Sequence, residues 1–266
     1  MSTRKLFEKV IVKKSDRPNK NGYVLNNSDN LTNGIHIELF RDDLMQGSGN
    51  ELISKFNAIY SSSALAVNNF AIVKKLLKDF SFLGYSNFIN ANFERQFKTG
   101  LRGTPPNLDF ALENNDTLIA FESKYLELLD KKKVTFKDSY NRSNLKYLND
   151  FWFTLIDHYV DSELYLDVAQ LIKHSIGLIN YKMQSSKNAA KKVILIYIYW
   201  TPSNYDKFPV YIEHSKELIK FTDTLTKQTD LEFKSMSYKQ FWDTYCDSSI
   251  FSEHFDNLEK RYNIEI

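Results

Sequence analysis

Apolar residues recur at helical spacing in the stretch that runs from Ser48 to Phe80. They lie three or four positions apart, and the serines at 61–63 interrupt the pattern. A serine directly before an apolar run is typical of a helix N-cap. The pattern therefore predicts two consecutive helices, with the second beginning after the serines.

Strand patterns follow these helices. Residues 92–101 alternate well enough for a strand, and residues 108–128 read as a β-hairpin that turns near Asn114–Asp116. Residues 164–183 return to a helical period. Residues 193–200, VILIYIYW, form the most continuous apolar run of the chain, which is typical of a central strand buried on both faces. The predicted order is helix, three strands, helix, strand.

Three other segments have weaker patterns. Residues 15–34 are polar and rich in turn formers, so we expect an irregular arm with few core contacts. Residues 130–160 resemble an excursion with a helix of its own, and the chain from Tyr205 onward indicates amphipathic helices. A chain of 266 residues with 42% apolar content can bury a sizeable core. We therefore expect one domain over 1–266, with an N-terminal arm at 1–47, a central part at about 48–200 and a C-terminal elaboration at 201–266.

Charge adds little to this picture, because 35 basic residues are nearly matched by 33 acidic ones. Any field that attracts DNA must be local. Basic clusters occur at Lys74–Lys75 with Lys78, at Lys131–Lys133 and at Lys191–Lys192, although such clusters are more often solvated surface.

Several functional classes are excluded or disfavoured by what the sequence lacks. Cys246 is the only cysteine, which excludes an intramolecular disulfide and a multi-cysteine zinc site. No apolar run is long enough for a membrane span, and the first residues show no secretory signal, so we expect a cytoplasmic protein without a membrane partner. No P-loop motif is present, which argues against an ATP-driven translocase.

Two Glu-x-Lys triplets occur, and their surroundings distinguish them. Glu232 and Lys234 have no hairpin before them and are best interpreted as surface. Glu122 and Lys124 end an apolar strand, and Asp109 lies on the strand before it. Residues two apart share one face of a strand, and the hairpin folds Asp109 back toward Glu122. Two carboxylates beside one ammonium can hold Mg²⁺, with Mn²⁺ as a substitute. Such an ion can activate a water molecule that hydrolyses a phosphodiester.

A structural explanation of the same residues stays open. Asp109 could cap the hairpin turn. Glu122 and Lys124 could form an ordinary ion pair that contributes less than about 1 kcal/mol.

The residues Pro106 to Asp109 and Glu122 to Lys124 resemble the P-D-(D/E)-x-K nuclease superfamily, although the proline stands three positions before the aspartate. The resemblance implies an α/β, restriction-endonuclease-like fold, with a mixed central β-sheet flanked by helices and extra C-terminal helices. It implies a Mg²⁺-dependent endonuclease of double-stranded DNA, of the restriction or defence type. It also implies a metal site formed by Asp109, Glu122 and Ser123, with Lys124 as the catalytic lysine.

Two further positions enter through this resemblance, which covers about residues 48–200 and implies that they form the catalytic core. Glu51, ahead of the segment Ser61–Phe70, matches a helical glutamate that joins the metal site in relatives. Its alternative is a first-turn residue favoured by the helix dipole. Gln170 matches a glutamine that relatives offer from the helix after the Glu-x-Lys strand, and His174 shares its helical face. Their alternative is a satisfied polar pair at the edge of the core.

The expected partner is double-stranded DNA, and a homodimer would place two sites on opposite strands. Two other functions stay open. One is a repair or recombination nuclease of low sequence specificity. The other is a DNA-binding module that has kept the nuclease fold and lost cleavage.

Overall fold

The computed structural model describes residues 1–46, 52, 55–245 and 250–266. Glu51 and Cys246, which the sequence analysis singled out, lie outside the described residues. The helices are α1 (Thr3–Lys14), α2 (Arg41–Gln46), α3 (Ser62–Lys75), α4 (Asp150–Tyr159), α5 (Val168–Met183), α6 (Ser186–Ala189), α7 (Pro209–Leu225), α8 (Tyr238–Tyr245) and α9 (Ser252–Tyr262). The strands are β1 (Asn90–Gln96), β2 (Asn107–Glu113), β3 (Thr117–Lys124), β4 (Lys132–Lys133), β5 (Glu163–Leu164), β6 (Lys192–Tyr199) and β7 (Glu232–Ser237).

A mixed five-stranded sheet forms the centre of the molecule. Its strand order is β1-β2-β3-β6-β7, with β1, β2 and β3 antiparallel and β3, β6 and β7 parallel. The apolar run at 193–200 supplies β6, which lies between β3 and β7 as its two buried faces require. The predicted α/β architecture, with a mixed sheet flanked by helices and further helices at the C-terminus, is confirmed. The strands β4 and β5 form a separate two-stranded sheet. Strand β4 lies in the segment 130–160, and β5 directly follows that segment.

Side chains of β3 alternate between two hydrophobic cores, and all eight of its residues are buried. Ile119 and Phe121 pack in the core that contains α3, α8 and α9. Leu118 and Ala120 pack in the core that contains α4, α5 and α7. Because the alternation continues through residues 122 and 124, the Glu-x-Lys pair emerges on the α5 side.

The predicted helix pair near residue 60 is confirmed only in its second member. Helix α3 begins at Ser62, and the Ser61 side chain accepts a hydrogen bond from the Ala64 amide, as the N-cap interpretation requires. Residues 55–60 form turns, so the prediction of helix there is wrong. Carbonyl groups of these turns accept hydrogen bonds from the N-terminal arm, where Asn30 Nδ2 donates to Phe56 O and Ala58 O.

Residues 15–34 of the N-terminal arm contribute to the core, contrary to the expectation that they make few core contacts. Val24 and Leu31 are buried, and so are the polar side chains of Asn30 and Thr32. Asn68 on α3 bonds both the Thr32 amide and the Asn30 carbonyl. Polar, turn-forming composition therefore marks a segment whose side chains satisfy neighbouring main-chain groups in the interior.

The C-terminal part adds a strand as well as helices. The second Glu-x-Lys triplet lies in β7, which pairs with β6 at one edge of the sheet. Glu232 forms ion pairs with Lys192 and Lys234 at 2.7 Å each, and all three side chains are partly exposed. In the part of the chain that the structure describes, no helix combines the length and the apolar character needed to cross a membrane.

Candidate active site

The hairpin brings Asp109, Glu122 and Lys124 together at the end of β3. The β2–β3 register pairs Phe110 with Phe121, and the next step along it sets Asp109 opposite Glu122. Lys124 Nζ lies 2.5 Å from Glu122 Oε1, and both side chains are almost fully buried. The Ser123 amide donates a 2.7 Å hydrogen bond to Asp109 Oδ2. The three residues chosen from the sequence therefore form one cluster.

Helix α5 adds Gln170 and His174 to this cluster. The Asp167 side chain caps the helix by accepting from the Gln170 amide, which fixes the first turn beside β3. Lys124 Nζ donates to Gln170 Oε1 at 2.7 Å. His174 Nε2 lies 2.8 Å from Glu122 Oε2, one turn further along the helix. Gln170 thus holds the lysine and His174 faces the glutamate.

The charges of the cluster are set by burial and by one another. Burial alone would raise the pKa of Glu122, but the charges of Lys124 and His174 lower it to about 2. Burial would lower the pKa of Lys124, and the neighbouring Glu122 carboxylate instead raises it above its usual value. Burial and the Glu122 charge raise the pKa of Asp109 well above its ordinary range. Without a cation, Glu122 is therefore the charged carboxylate and Lys124 is an ammonium.

Glu94 is a residue of this cluster that the sequence analysis missed. It lies on β1, one step beyond the Phe93–Phe110 pair and therefore opposite Asp109, and its charge contributes to the raised pKa of Asp109 after burial and Glu122. Its backbone is left-handed, with φ +48°, which is uncommon for a residue other than glycine. Phe93 packs in the α3 core whereas Phe97 packs in the α5 core, although residues four apart on a regular strand share one face. The left-handed backbone at Glu94 thus changes the direction of the β1 side chains beside the cluster.

Glu127 is a second missed carboxylate near the cluster. It follows β3 in a short 3₁₀ turn, and its Oε2 accepts from the Tyr125 amide at 2.8 Å. Burial would raise its pKa, but the Lys124 charge and a hydrogen bond from Ser62 lower it. The lysine is therefore surrounded by more negative charge than the triplet alone supplies.

The donors at this site fit a hard divalent cation. Glu122 Oε2 is buried and has no hydrogen-bond partner of good geometry, so it keeps a lone pair for another ligand. Among the described residues no group of three Asp, Glu, His or Cys side chains is close enough to hold a metal ion. Mg²⁺, however, usually binds through one or two carboxylates and keeps several waters. Asp109 and Glu122 satisfy that requirement.

Ser123 contributes its main chain on this side of the sheet. Its hydroxyl lies 2.7 Å from the Tyr238 hydroxyl, in the α3 core and away from Lys124. A ligand role for Ser123 would therefore fall to its carbonyl group.

The basic clusters lie in different places. Lys132 Nζ pairs with Asp167 at the start of α5 at 2.7 Å, which places the cluster at 131–133 beside Gln170. Lys191 is buried against Glu113 near the opposite end of β3, and Lys74 pairs with Asp43. Of the three, the cluster at 131–133 adjoins the site.

Comparison with known proteins identifies a family. The family model described as Restriction Endonuclease associating with ARP matches residues 6–263. No curated protein and no solved structure matches the chain.

Proposed function

The chain belongs to the family described as Restriction Endonuclease associating with ARP, and from this premise we propose that it is a Mg²⁺-dependent endodeoxyribonuclease of double-stranded DNA. Mn²⁺ would substitute for Mg²⁺. The observation that carries the proposal is the buried Glu122–Lys124 pair, with Asp109 set opposite it by the hairpin.

Each residue has a role in phosphodiester hydrolysis. A bound Mg²⁺ would stabilise negative charge on the scissile phosphate and acidify a water molecule. Asp109 and Glu122 would hold the ion. Lys124, as an ammonium, would stabilise charge that develops on the phosphate oxygens and orient the attacking water.

The α5 residues position this machinery. Gln170 accepts from Lys124 Nζ and so limits the lysine to the end of β3. His174 faces Glu122 Oε2 from inside the core, where the side chain is fully buried. Both are positioning residues in this mechanism, because they act through Lys124 and Glu122.

Partners of the chain are proposed on narrower grounds. The lysines at 131–133, beside the start of α5, would contact DNA phosphates. A homodimer would set two sites on opposite strands of the duplex. The description of the family names an association with ARP, and we extend that association to this chain as a proposal.

The test is digestion of plasmid and genomic DNA by the purified chain with Mg²⁺, Mn²⁺ or EDTA, followed by sequencing of the product ends. We expect discrete fragments with either metal, none with EDTA, and none from the Asp109→Asn variant. A scattered ladder that needs metal and Asp109 would favour the low-specificity repair nuclease. DNA binding without metal-dependent products would refute the proposal and leave a binding module.

A further inference from the structure

A pocket of about 470 Å³ lies between the N-terminal arm and the end of α9. Its floor includes Tyr125, which directly follows Lys124 but packs in the α3 core, so the pocket lies away from Gln170. Its basic lining residues are Lys14, Arg17, Lys260 and Arg261. None of these residues belongs to the candidate active site.

The two arginines are held side by side by neutral acceptors. Arg17 Nη1 donates to Asp29 O at 3.0 Å, and Arg261 Nη1 donates to Asn30 O at 3.0 Å. These carbonyls are adjacent in the chain, at the end of the 3₁₀ turn Asn27–Asn30. A second bond from Arg261 Nη2 to Asn30 Oδ1 at 2.6 Å fixes its guanidinium. Two positive groups are thus brought together at the same turn.

This pair has little compensating negative charge. The Asp16 carboxylate is 91% exposed and lies 3.6 Å from Arg17 Nε, which is too long for a hydrogen bond. In the described ranges no carboxylate forms an ion pair with Arg261. Burial and the charge of Arg261 lower the pKa of Arg17, and the smaller opposing effects of Asp16 and Asp29 do not reverse this. The pocket therefore favours an anion.

Two buried polar atoms of the lining also lack partners. Arg17 Nε and Thr32 Oγ1 are inaccessible to solvent and have no hydrogen bond within the described part of the chain. Thr32 is only 4% exposed, and it lines the pocket with Arg17. Buried donors of this kind are normally satisfied, so each requires an explanation. Because neither atom is accessible in the open pocket, we expect bound phosphate oxygens to accept from them after the lining side chains shift.

We propose that this pocket binds the phosphate groups of a nucleoside phosphate. Guanidinium groups present paired donors that match phosphate oxygens, and here two such groups are already oriented. The volume falls within the range of about 300–1,000 Å³ typical of small-molecule sites. The floor is apolar and aromatic, formed by Ile11, Ile59 and Tyr125, which suits the nucleoside part.

The inference is tested by ATP binding to the full chain, measured by calorimetry in EDTA so that the candidate metal site does not contribute. We expect binding that pyrophosphate competes for. Arg17→Gln and Arg261→Gln should each weaken ATP binding at least about tenfold, since each removes a charge-assisted contact. Lys187→Gln, which removes one exposed positive charge on α6, should bind ATP like wild type. Lys124→Ala should also bind normally, which separates this site from the active site.

Melting temperatures measured with and without ATP show whether each variant is folded. Arg17→Gln relieves repulsion between like charges, so it should melt near the wild-type temperature without ligand and lose the ATP-induced rise. Thr32→Val keeps the shape of the side chain and removes only the hydroxyl, so it should weaken ATP binding several-fold.

Three results would overturn the inference. One is the absence of ATP and pyrophosphate binding at millimolar concentration. Another is equal ATP affinity in wild type, Arg17→Gln and Arg261→Gln. The third is that only a short DNA duplex binds in a manner that depends on both arginines, which would assign the pocket to the DNA backbone.

Discussion

Gln170→Ala should slow DNA cleavage without weakening DNA binding. The wild-type side chain accepts a 2.7 Å hydrogen bond from the buried ammonium of Lys124. A hydrogen bond to a charged group contributes about 1.5–3 kcal/mol. If the full contribution is expressed in the transition state, the single-turnover rate falls about 10- to 150-fold, since about 1.4 kcal/mol corresponds to a factor of ten.

The assay is single-turnover cleavage at saturating DNA with Mg²⁺, beside DNA affinity measured in EDTA. Gln184→Ala is the matched control, because Gln184 is the exposed C-cap of the same helix. Gln170→Met keeps the side-chain bulk and removes the acceptor, so it should be as slow as Gln170→Ala. A Gln170→Ala rate equal to that of Gln184→Ala, or a loss confined to DNA affinity, would refute a positioning role for Gln170.

Three further predictions concern groups around the site. Gly177→Ala should destabilise the fold by about 1–2 kcal/mol, because a Cβ there would lie 3.2 Å from two carbons of Phe97 and closer still to its carbonyl oxygen. Burial lowers the pKa of His214 to about 4, so the unfolded state takes up the proton at a higher pH than the folded state. The free energy of unfolding should therefore fall by about 2 kcal/mol between about pH 7.5 and about pH 5. Urea titrations of His214→Gln should lack this loss. Glu94→Gly should lower the free energy of unfolding by no more than about 1 kcal/mol, because it loses the hydrogen bond from Asn107 Nδ2 to Glu94 Oε2 while glycine adopts φ +48° freely. It should raise the Mg²⁺ concentration for half-maximal cleavage about tenfold.

Each of these has a clear contradicting outcome. Gly84 has open space around it but φ +81°, so Gly84→Ala measures the cost of backbone strain without a clash. A Gly177→Ala protein more stable than wild type would show that helix propensity outweighs the close approach of α5 to β1. An identical pH slope in wild type and His214→Gln would remove the linkage argument. An unchanged Mg²⁺ requirement in Glu94→Gly would exclude that carboxylate from the metal environment.

The local pattern of the sequence was sufficient to predict the central hairpin and the clustering of Asp109, Glu122 and Lys124 at its end. The turn at Asn114–Asp116, the apolar strand before Glu122 and the buried run of β6 each have a short-range signal. The spacing of Glu122 and Lys124 then follows from strand alternation. The rejection of the second triplet also rested on its local context, and β7 places that triplet at a partly exposed edge.

The remaining features depend on contacts that distant segments make. The N-terminal arm is polar because the Asn30 side chain donates to a main-chain carbonyl of another segment and the Asn68 side chain accepts from the Thr32 amide, so composition alone predicted an irregular arm with few core contacts. Strand β7 is short and half-exposed, and its identity as a strand comes from pairing with β6. Glu94 could have been found by extending the predicted hairpin register to β1, but its left-handed backbone has no signature in the sequence.

The most direct test of the nuclease assignment compares Lys124→Ala with Lys234→Ala in plasmid cleavage with Mg²⁺. Both variants remove a lysine from a Glu-x-Lys triplet in the same sheet, one at the candidate site and one at the exposed edge. We predict that Lys124→Ala abolishes cleavage while it still binds DNA, and that Lys234→Ala cleaves at the wild-type rate. Full activity in Lys124→Ala, or equal losses in the two variants, would contradict the assignment of the active site to Asp109, Glu122 and Lys124.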